Sequence, residues 1–489
     1  MEFTIERGAA QPLYGQIAQE VRRRIRNGAL PVGTRLPTVR ELAAQLGVTR
    51  LTVHSAYEEL QSGGWVEATV GRGTFVAQQL NPLESSDLGS ELSARGLLND
   101  MIRMAMMPGM RSLAMADAAH EFYPTREFAR AVSDVIESGP SIYGYPSSQG
   151  DPLLRTVLAE ILHERGVRAA PDELLITSGA THGLSLIAQT LARTGDTVLV
   201  EGPSYLGALN VFATQGLRLV EVPMDADGMV VDALPALIEQ HQPRFIYTVP
   251  TFHNPVGVCL SPARRTALVE LAARTRVPIV EDDIYGWLAL EGTSPPALKR
   301  DDHASMVVYV GSFSKILLPG LRIGYVAASP TLIARLCLMR QANDLAGPTL
   351  LQRAMALYLQ RGRLTTHLRR VLPHYRERRD ALLTAMTRHF PSDMRWTEPH
   401  GGFCVWVQLP AEVRPTDLYL AGIERGVAFA PGDFFYASAA PAPHMRLSFS
   451  TQTPAVLTEA VTVLGELLGT QIARRTFTRR TATDVVPLV

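Results

Sequence analysis

The chain of 489 residues has little lysine, little cysteine and no net charge. Lys299 and Lys315 are its only lysines, and nearly all other basic side chains are arginine. Any chemistry that needs a side-chain primary amine therefore chooses between two residues. Three cysteines, Cys259, Cys337 and Cys404, lie far apart without metal-ligand spacing. They read as small buried hydrophobes in a reducing compartment, and no metal is expected. Lys+Arg and Asp+Glu both number 47, so global charge draws the chain to neither nucleic acid nor membrane. A DNA-binding surface has to be local. No apolar run reaches the roughly 20 residues that span a bilayer. The start, Met1 to Arg7, lacks a basic stretch followed by an apolar one, so it does not read as a signal peptide. No membrane partner is expected, and the location that follows is cytoplasmic.

What is present suits a large soluble protein: 46% hydrophobic and 19% charged residues, on a chain long enough for two or three domains. The pattern divides it at residues 1–78, 79–109, 110–470 and 471–489. From Pro12, Leu13, Ile17, Val21 and Ile25 recur on one helical face. Gly28 to Pro37 ends that helix. Thr38-Val39-Arg40-Glu41 reads as a capping box opening a second helix. Gly47 turns the chain, and Thr49 caps a third helix that runs to about Gln61. Trp65–Val70 and Thr74–Val76 then read as two short strands around Gly71-Arg72-Gly73. Helix, helix, turn, helix and hairpin make a winged helix-turn-helix, whose second motif helix enters the DNA major groove.

Leu36-Pro37-Thr38-Val39-Arg40-Glu41-Leu42-Ala43, Gly47-Val48-Thr49-Arg50-Leu51-Thr52-Val53 and Gly71-Arg72-Gly73-Thr74-Phe75-Val76 together resemble the GntR family of winged-helix regulators. The resemblance implies binding to double-stranded DNA through Arg40, Arg50 and Arg72. Thr49, Thr52 and helix N-terminal amides suit phosphate contacts. His54 stands where many relatives have a further arginine, which bears on base preference. Gly71 beside Arg72 permits the wing turn. Residues 1–78 hold nine arginines against seven acids. That small excess points to a dimer reading two half-sites.

Residues 79–109 read as a linker, with a helix around Glu91 to Met106. From residue 110 to 470, apolar strand-like runs alternate with helical patterns, giving an α/β domain with a mostly parallel or mixed sheet. Strand candidates are Glu173–Ile176, Thr197–Val200, Phe245–Val249, Pro278–Val280 and Met306–Val310. Ala473 to Val489 reads as a frayed tail.

Chemistry-bearing motifs follow several of these strands. Thr177-Ser178-Gly179-Ala180-Thr181-His182-Gly183 opens a helix and fits an anion cradle. His253-Asn254-Pro255, Glu281-Asp282-Asp283-Ile284-Tyr285 and Ser312-Phe313-Ser314-Lys315 all follow apolar runs, where open α/β sheets build sites. Lys299, between Ala297-Leu298 and Arg300-Asp301-Asp302, reads as solvated. This set resembles the fold-type I aminotransferases, most closely the aminoadipate and kynurenine group. The resemblance implies a large mixed sheet plus a small C-terminal α+β subdomain at about 350–470, with pyridoxal 5′-phosphate (PLP) as cofactor. It assigns Lys315 the covalent bond to PLP and Asp282 the pyridine nitrogen, Asp283 being the weaker candidate. It assigns Tyr285 and Asn254 the phenolate oxygen and Tyr205 the ring face. Gly179, Ala180, Thr181, Ser312, Ser314 and Arg322 would hold the phosphate. Ala180-Thr181 stands where relatives often have Ser-Gln. Tyr145 would be lent by a partner subunit, and Arg446 would clamp a substrate carboxylate. Leu206 and Gly207 replace an arginine that some relatives use for a second carboxylate.

A GntR reader fused to an aminotransferase-like domain resembles the MocR subfamily of bacterial regulators. That implies regulation through PLP, a small amino-acid-like effector, or both, in a homodimer for which a head-to-tail, domain-swapped form is one arrangement. The alternative is a working aminotransferase with an appended DNA-binding domain.

Overall fold

The computed structural model describes residues 13–26, 29–31, 33–62, 65–69, 73–77 and 103–483. The chain divides into two compact units, Met1–Met101 and Ile102–Val489.

In the first unit, helices α1 (Leu13–Arg26), α2 (Val39–Leu46) and α3 (Arg50–Ser62) precede strands β1 (Val66–Thr69) and β2 (Gly73–Val76). The α1 stripe Ile17, Val21 and Ile25 is buried with Leu42 of α2 and Val53, Ala56 and Leu60 of α3. Burying the apolar faces of three short helices on one another gives each the tertiary support that it lacks alone. Thr38 and Glu41 form the reciprocal capping box, with Thr38 N donating to Glu41 Oε2 at 2.8 Å. The Tyr57 hydroxyl donates to the Pro37 carbonyl at 2.7 Å and ties α3 to the start of α2. β1 and β2 pair antiparallel, and residues 34–36 bond the outer side of β2.

In the second unit an eight-stranded sheet has the order β4-β11-β10-β9-β8-β5-β6-β7. These are β4 (Leu174–Thr177), β5 (Thr197–Gly202), β6 (Arg218–Asp225), β7 (Gly228–Met229), β8 (Phe245–Thr248), β9 (Ile279–Asp282), β10 (Val307–Ser312) and β11 (Gly324–Ala327). Only β11 and β7 run against their neighbours. The loops after β4, β5, β8, β9 and β10, and the loop before β11, therefore leave the same edge. That edge carries nearly every motif read from the sequence. Apolar clusters cover both sheet faces, as a sheet buried on two sides demands.

A smaller sheet, β12-β13-β16-β15, follows the long helix Arg363–His389. Its strands are β12 (Arg395–Trp396), β13 (Cys404–Gln408), β15 (Ala430–Pro431) and β16 (His444–Ser448). Beside it β3 (Arg111–Ser112) pairs with β14 (Val427–Ala428), so the segment after residue 110 packs with the chain's C-terminal part.

Three details differ from the sequence reading. β5 and β9 extend past their apolar runs into Glu201 and Asp282. The ladder continues there because the buried carboxylates find internal partners. The helix Pro454–Thr483 carries on through most of the stretch read as a tail; neither glycine nor proline interrupts it after Gly469. It is also more apolar than expected, with a mean hydropathy of 1.2 over Pro454–Ala473. Its buried stripe Leu457, Ala460, Val461, Leu464 and Leu468 packs on the unit, notably against Arg363–His389. The helix expected around Glu91 to Met106 lies outside the described residues up to 102.

Candidate functional site

Three acidic residues leave β9 in succession, and strand alternation sends them to opposite faces. Glu281 accepts the amides of Leu298 and Lys299 at 2.6 and 3.0 Å. Asp283 takes the Arg165 guanidinium at 2.9 Å and the Tyr309 hydroxyl at 2.9 Å. Asp282 points the other way. Its Oδ2 accepts from the Tyr247 hydroxyl at 2.8 Å. Its Oδ1 is buried and makes no hydrogen bond among the described residues. Burial pushes the Asp282 carboxyl up to about 7, with the Tyr247 hydroxyl and the Ile284 backbone amide opposing. Glu281 is likewise raised, by burial first and then by Asp283.

Asn254, in the loop after β8, links two other residues. Its Nδ2 donates to the Tyr285 hydroxyl at 3.4 Å, and its Oδ1 accepts from Arg446 Nη1 at 3.0 Å. Arg446 also donates to the Ala114 carbonyl and lies over the Phe435 ring. Its buried Nε has no partner among the described residues. Burial raises the Tyr285 hydroxyl well above its ordinary range, and Arg446, Tyr205 and Asp117 are all near enough to act on it. Tyr205 stands at the start of the helix Leu206–Thr214. A Cβ on Gly207 would strike the Tyr205 ring, so this glycine makes room for the aromatic.

Lys315, three residues past β10, forms an ion pair with Asp117 at 2.5 Å. Lys299 is not solvated as the sequence suggested: its side chain is 12% exposed and bonds Asp302 and the Val307 carbonyl. Of the charged neighbours read as a sign of exposure, Asp302 holds that amine, while Arg300 and Asp301 pair with each other and are half exposed.

Gly179, at φ +90, precedes the helix Ala180–Leu191, whose first turn no side chain caps. A Cβ on Gly179 would lie 2.6 Å from Arg322 Nη2, and one on Gly324 would lie 2.8 Å from the Ala180 amide nitrogen. Arg322 donates to the Ser178 carbonyl at 3.2 Å, and Ser312 Oγ bonds Ser314 Oγ at 3.0 Å. Open amides, two hydroxyls and a guanidinium thus gather at one helix N-terminus, a setting that suits an anion. The Thr181 side chain is exposed there. Tyr145 is 96% exposed, and no hydrogen bond joins it to these groups.

In the first unit, Arg40, Arg50 and His54 are exposed on α2 and α3. Thr49 Oγ1 accepts the Thr52 amide at 3.1 Å and shares a 2.8 Å bond with its hydroxyl. His54 lies 3.4 Å from Glu58. Gly71 and Arg72 fall outside the described residues.

The family described as aminotransferase class I and II matches residues 113–464, and that of bacterial regulatory proteins, gntR family, matches residues 13–76. Among curated proteins, the chain is 30% identical to the uncharacterized HTH-type transcriptional regulator YdfD of Bacillus subtilis (strain 168), over 94% of this chain and 96% of that one. It is 29% identical to the probable rhizopine catabolism regulatory protein MocR of Rhizobium meliloti, over 94% and 95%. The chain belongs to the MocR subfamily of GntR regulators. Its second unit has the fold-type I aminotransferase fold. The solved structure of LysN, the alpha-aminoadipate aminotransferase from Thermus thermophilus, matches it with a TM-score of 0.71 and 34% identity, over 76% of this chain and 95% of that one. That structure carries N-(5′-phosphopyridoxyl)-L-leucine, and PLP is the typical cofactor of the aminotransferase family.

In this MocR-type regulator, sequence reading passed over Tyr247, Asp117 and the Glu201–His253 pair. Glu201 accepts from Thr248 Oγ1, the Val249 amide and His253 Nε2 at 2.7, 2.8 and 3.0 Å. Val256 N donates to His253 Nδ1 at 3.3 Å, so both ring nitrogens are engaged beside Asn254. A tyrosine inside a fully buried strand is itself a signal, since its hydroxyl needs a partner. Asp117 lies among alanines and gave no signal.

Proposed function

We propose that this regulator binds PLP in its aminotransferase-like unit, senses PLP, an amino compound or both there, and alters DNA binding by its helix-turn-helix unit. A DNA-binding protein of this kind works in the cytoplasm. The observation that carries the reading is the buried Oδ1 of Asp282, an acceptor that makes no hydrogen bond among the described residues. Such an atom costs stability unless a ligand completes it, and a pyridinium N–H is a donor of the right kind.

The other residues fit the same ligand. When bound, PLP supplies an aldehyde for an amine and an electron-poor ring. Lys315 would hold that aldehyde covalently, and Tyr285 and Asn254 would hydrogen-bond the phenolate oxygen. Tyr205 would cover a ring face. Gly179, Ala180, Thr181, Ser312, Ser314 and Arg322 would bind the phosphate. Arg446, with a donor to spare, would take an effector carboxylate in a bidentate grip. Arg40, Thr49, Arg50, Thr52, His54, Gly71 and Arg72 would contact duplex DNA. The exposed Tyr145 suits a homodimer in which each subunit completes the other's pocket, with a head-to-tail exchange of units as one form.

Sensing requires that a ligand favour one arrangement of the protein over another. The test is operator affinity measured with and without PLP and a panel of amino acids, alongside turnover with an amino donor and a keto acid. A ligand-dependent change in DNA affinity with at most one slow turnover supports regulation. Repeated turnover at about 1 per second or faster, with DNA affinity unmoved, favours the aminotransferase.

A further inference from the structure

Among the described residues the free Lys315 ammonium has a single hydrogen-bond partner, Asp117 Oδ1 at 2.5 Å. The chain is braced on both sides of that carboxylate. Leu113 N donates to the Ala428 carbonyl at 2.7 Å, and the Leu113 carbonyl accepts from Ser448 N at 2.8 Å. Ala119 N donates to the Tyr375 hydroxyl at 3.1 Å, and Ala116, Ala118 and Ala119 are buried. Asp117 is thus an acceptor on a fixed segment, aimed at the one amine to which the PLP bond is assigned.

A covalent bond to PLP changes what that amine can offer Asp117. The free ammonium has three hydrogens and a localised charge. Condensing with the aldehyde, with loss of water, leaves the nitrogen at most one hydrogen and spreads its charge into the ring. An incoming amine reverses this. Its nitrogen bonds the same carbon, the bond from that carbon to Lys315 Nζ breaks, and two hydrogens pass from the incoming nitrogen to Nζ. An ammonium ion enters and an ammonium ion is left on the protein, with no net change in protons or charge. The full ion pair with Asp117 therefore belongs to two states, the protein without PLP and the protein whose lysine a ligand has displaced. It is weakened in the state between them. A contact made in only some states shifts the balance towards those states.

We propose that Asp117 is the seat of the displaced lysine: it opposes the Lys315–PLP bond and favours exchange of that bond for the amine of an effector. This rests on PLP binding at Lys315 and adds how the loaded protein answers an amine. The same segment meets the ligand's other end, since the Ala114 carbonyl accepts from Arg446, the arginine assigned the carboxylate. The ion pair is part exposed, 35% for the Asp117 side chain and 19% for that of Lys315, so screening holds its worth to about three- to tenfold in each equilibrium.

The experiment compares full-length wild type with Asp117→Asn, Asp117→Ser and Asp117→Glu. Asparagine copies the shape of aspartate, and serine is a second neutral replacement. PLP affinity is measured first, from the visible band. Each loaded protein is then titrated with L-alanine, L-glutamate and L-lysine, and the midpoint of the change in the band gives the exchange equilibrium. Removing the charge should tighten PLP about three- to tenfold and weaken amine exchange by a similar factor. Asp117→Glu keeps the charge and should bring both values back toward wild type. The opposite signs are diagnostic, because a pocket merely damaged by the substitution would lose both affinities. Neutral variants that lower both, raise both or leave either unmoved overturn the proposal. So does a loaded wild type whose band no amine of the panel alters. Wild-type protein with no visible band on adding PLP fails earlier: it overturns the PLP reading and this inference with it.

Discussion

The Tyr247 hydroxyl donates to Oδ2 of Asp282 over 2.8 Å, deep under the sheet edge. It engages one carboxylate oxygen and leaves the other for a ligand. A donor to a carboxylate also favours its ionised form, against the burial that pushes Asp282 up to about 7.

Tyr247→Phe keeps the ring and removes that donor. The Asp282 carboxyl then moves further up, so more of it is protonated at neutral pH and unable to pair with a pyridinium. PLP affinity should fall about tenfold near pH 7 and recover partly toward pH 9. A PLP titration at several pH values checks this, and an unchanged affinity throughout counts against the role given to Tyr247.

Asp282→Asn should separate stability from ligand binding. The folded carboxyl is raised from an ordinary 3.8 to about 7, so its contribution to apo stability is full below about pH 4. It is lost as pH rises through about 7, where the fold must hold a buried carboxylate charge. The neutral amide has no such loss. The apo variant should melt higher than wild type at pH 8, by roughly 2–4 °C for each kcal/mol relieved, with little gain at pH 4. Glu281, raised by burial and Asp283, keeps some pH dependence in both proteins. PLP affinity should collapse in the variant. A variant that melts lower at pH 8 contradicts this.

The sequence made the fold order and the site's edge readable because motif and strand end coincide. Ile176, Val249, Val280 and Val310 each end an apolar run just before a polar motif, and alternation then separates Asp282 from its two acidic neighbours. Contacts made by residues without a local signature were not legible. Asp117 meets Lys315 only because β3 brings the 111–117 segment alongside β14, a pairing between residues more than 300 apart in sequence. The Lys299 environment was misread because flanking charges look the same whether they face water or each other.

Arg50→Ala removes an exposed cation at the start of the recognition helix. Operator affinity should fall about tenfold, and the slope of log affinity against log salt should flatten by about one if the contact is to phosphate. The PLP spectrum should stay unchanged, since Arg50 belongs to the other compact unit. Loss of both activities would mean misfolding.

Tyr145, exposed in its own chain, can be tested by complementation. Tyr145→Phe homodimers should bind PLP several-fold more weakly than wild type. Mixed dimers of Tyr145→Phe and Lys315→Ala chains should regain wild-type affinity at one site, because the intact lysine would face the partner's intact tyrosine. Mixed dimers no better than Tyr145→Phe homodimers would remove Tyr145 from the pocket.

Borohydride reduction of the PLP-loaded protein, followed by peptide mapping, tests the assignment of the amine most directly. Only Lys299 and Lys315 can carry a lysine adduct. The phosphopyridoxyl mass should appear on the Lys315 peptide alone and vanish in Lys315→Ala. A mass gain on the Lys299 peptide, or an adduct that survives in Lys315→Ala, would contradict the account.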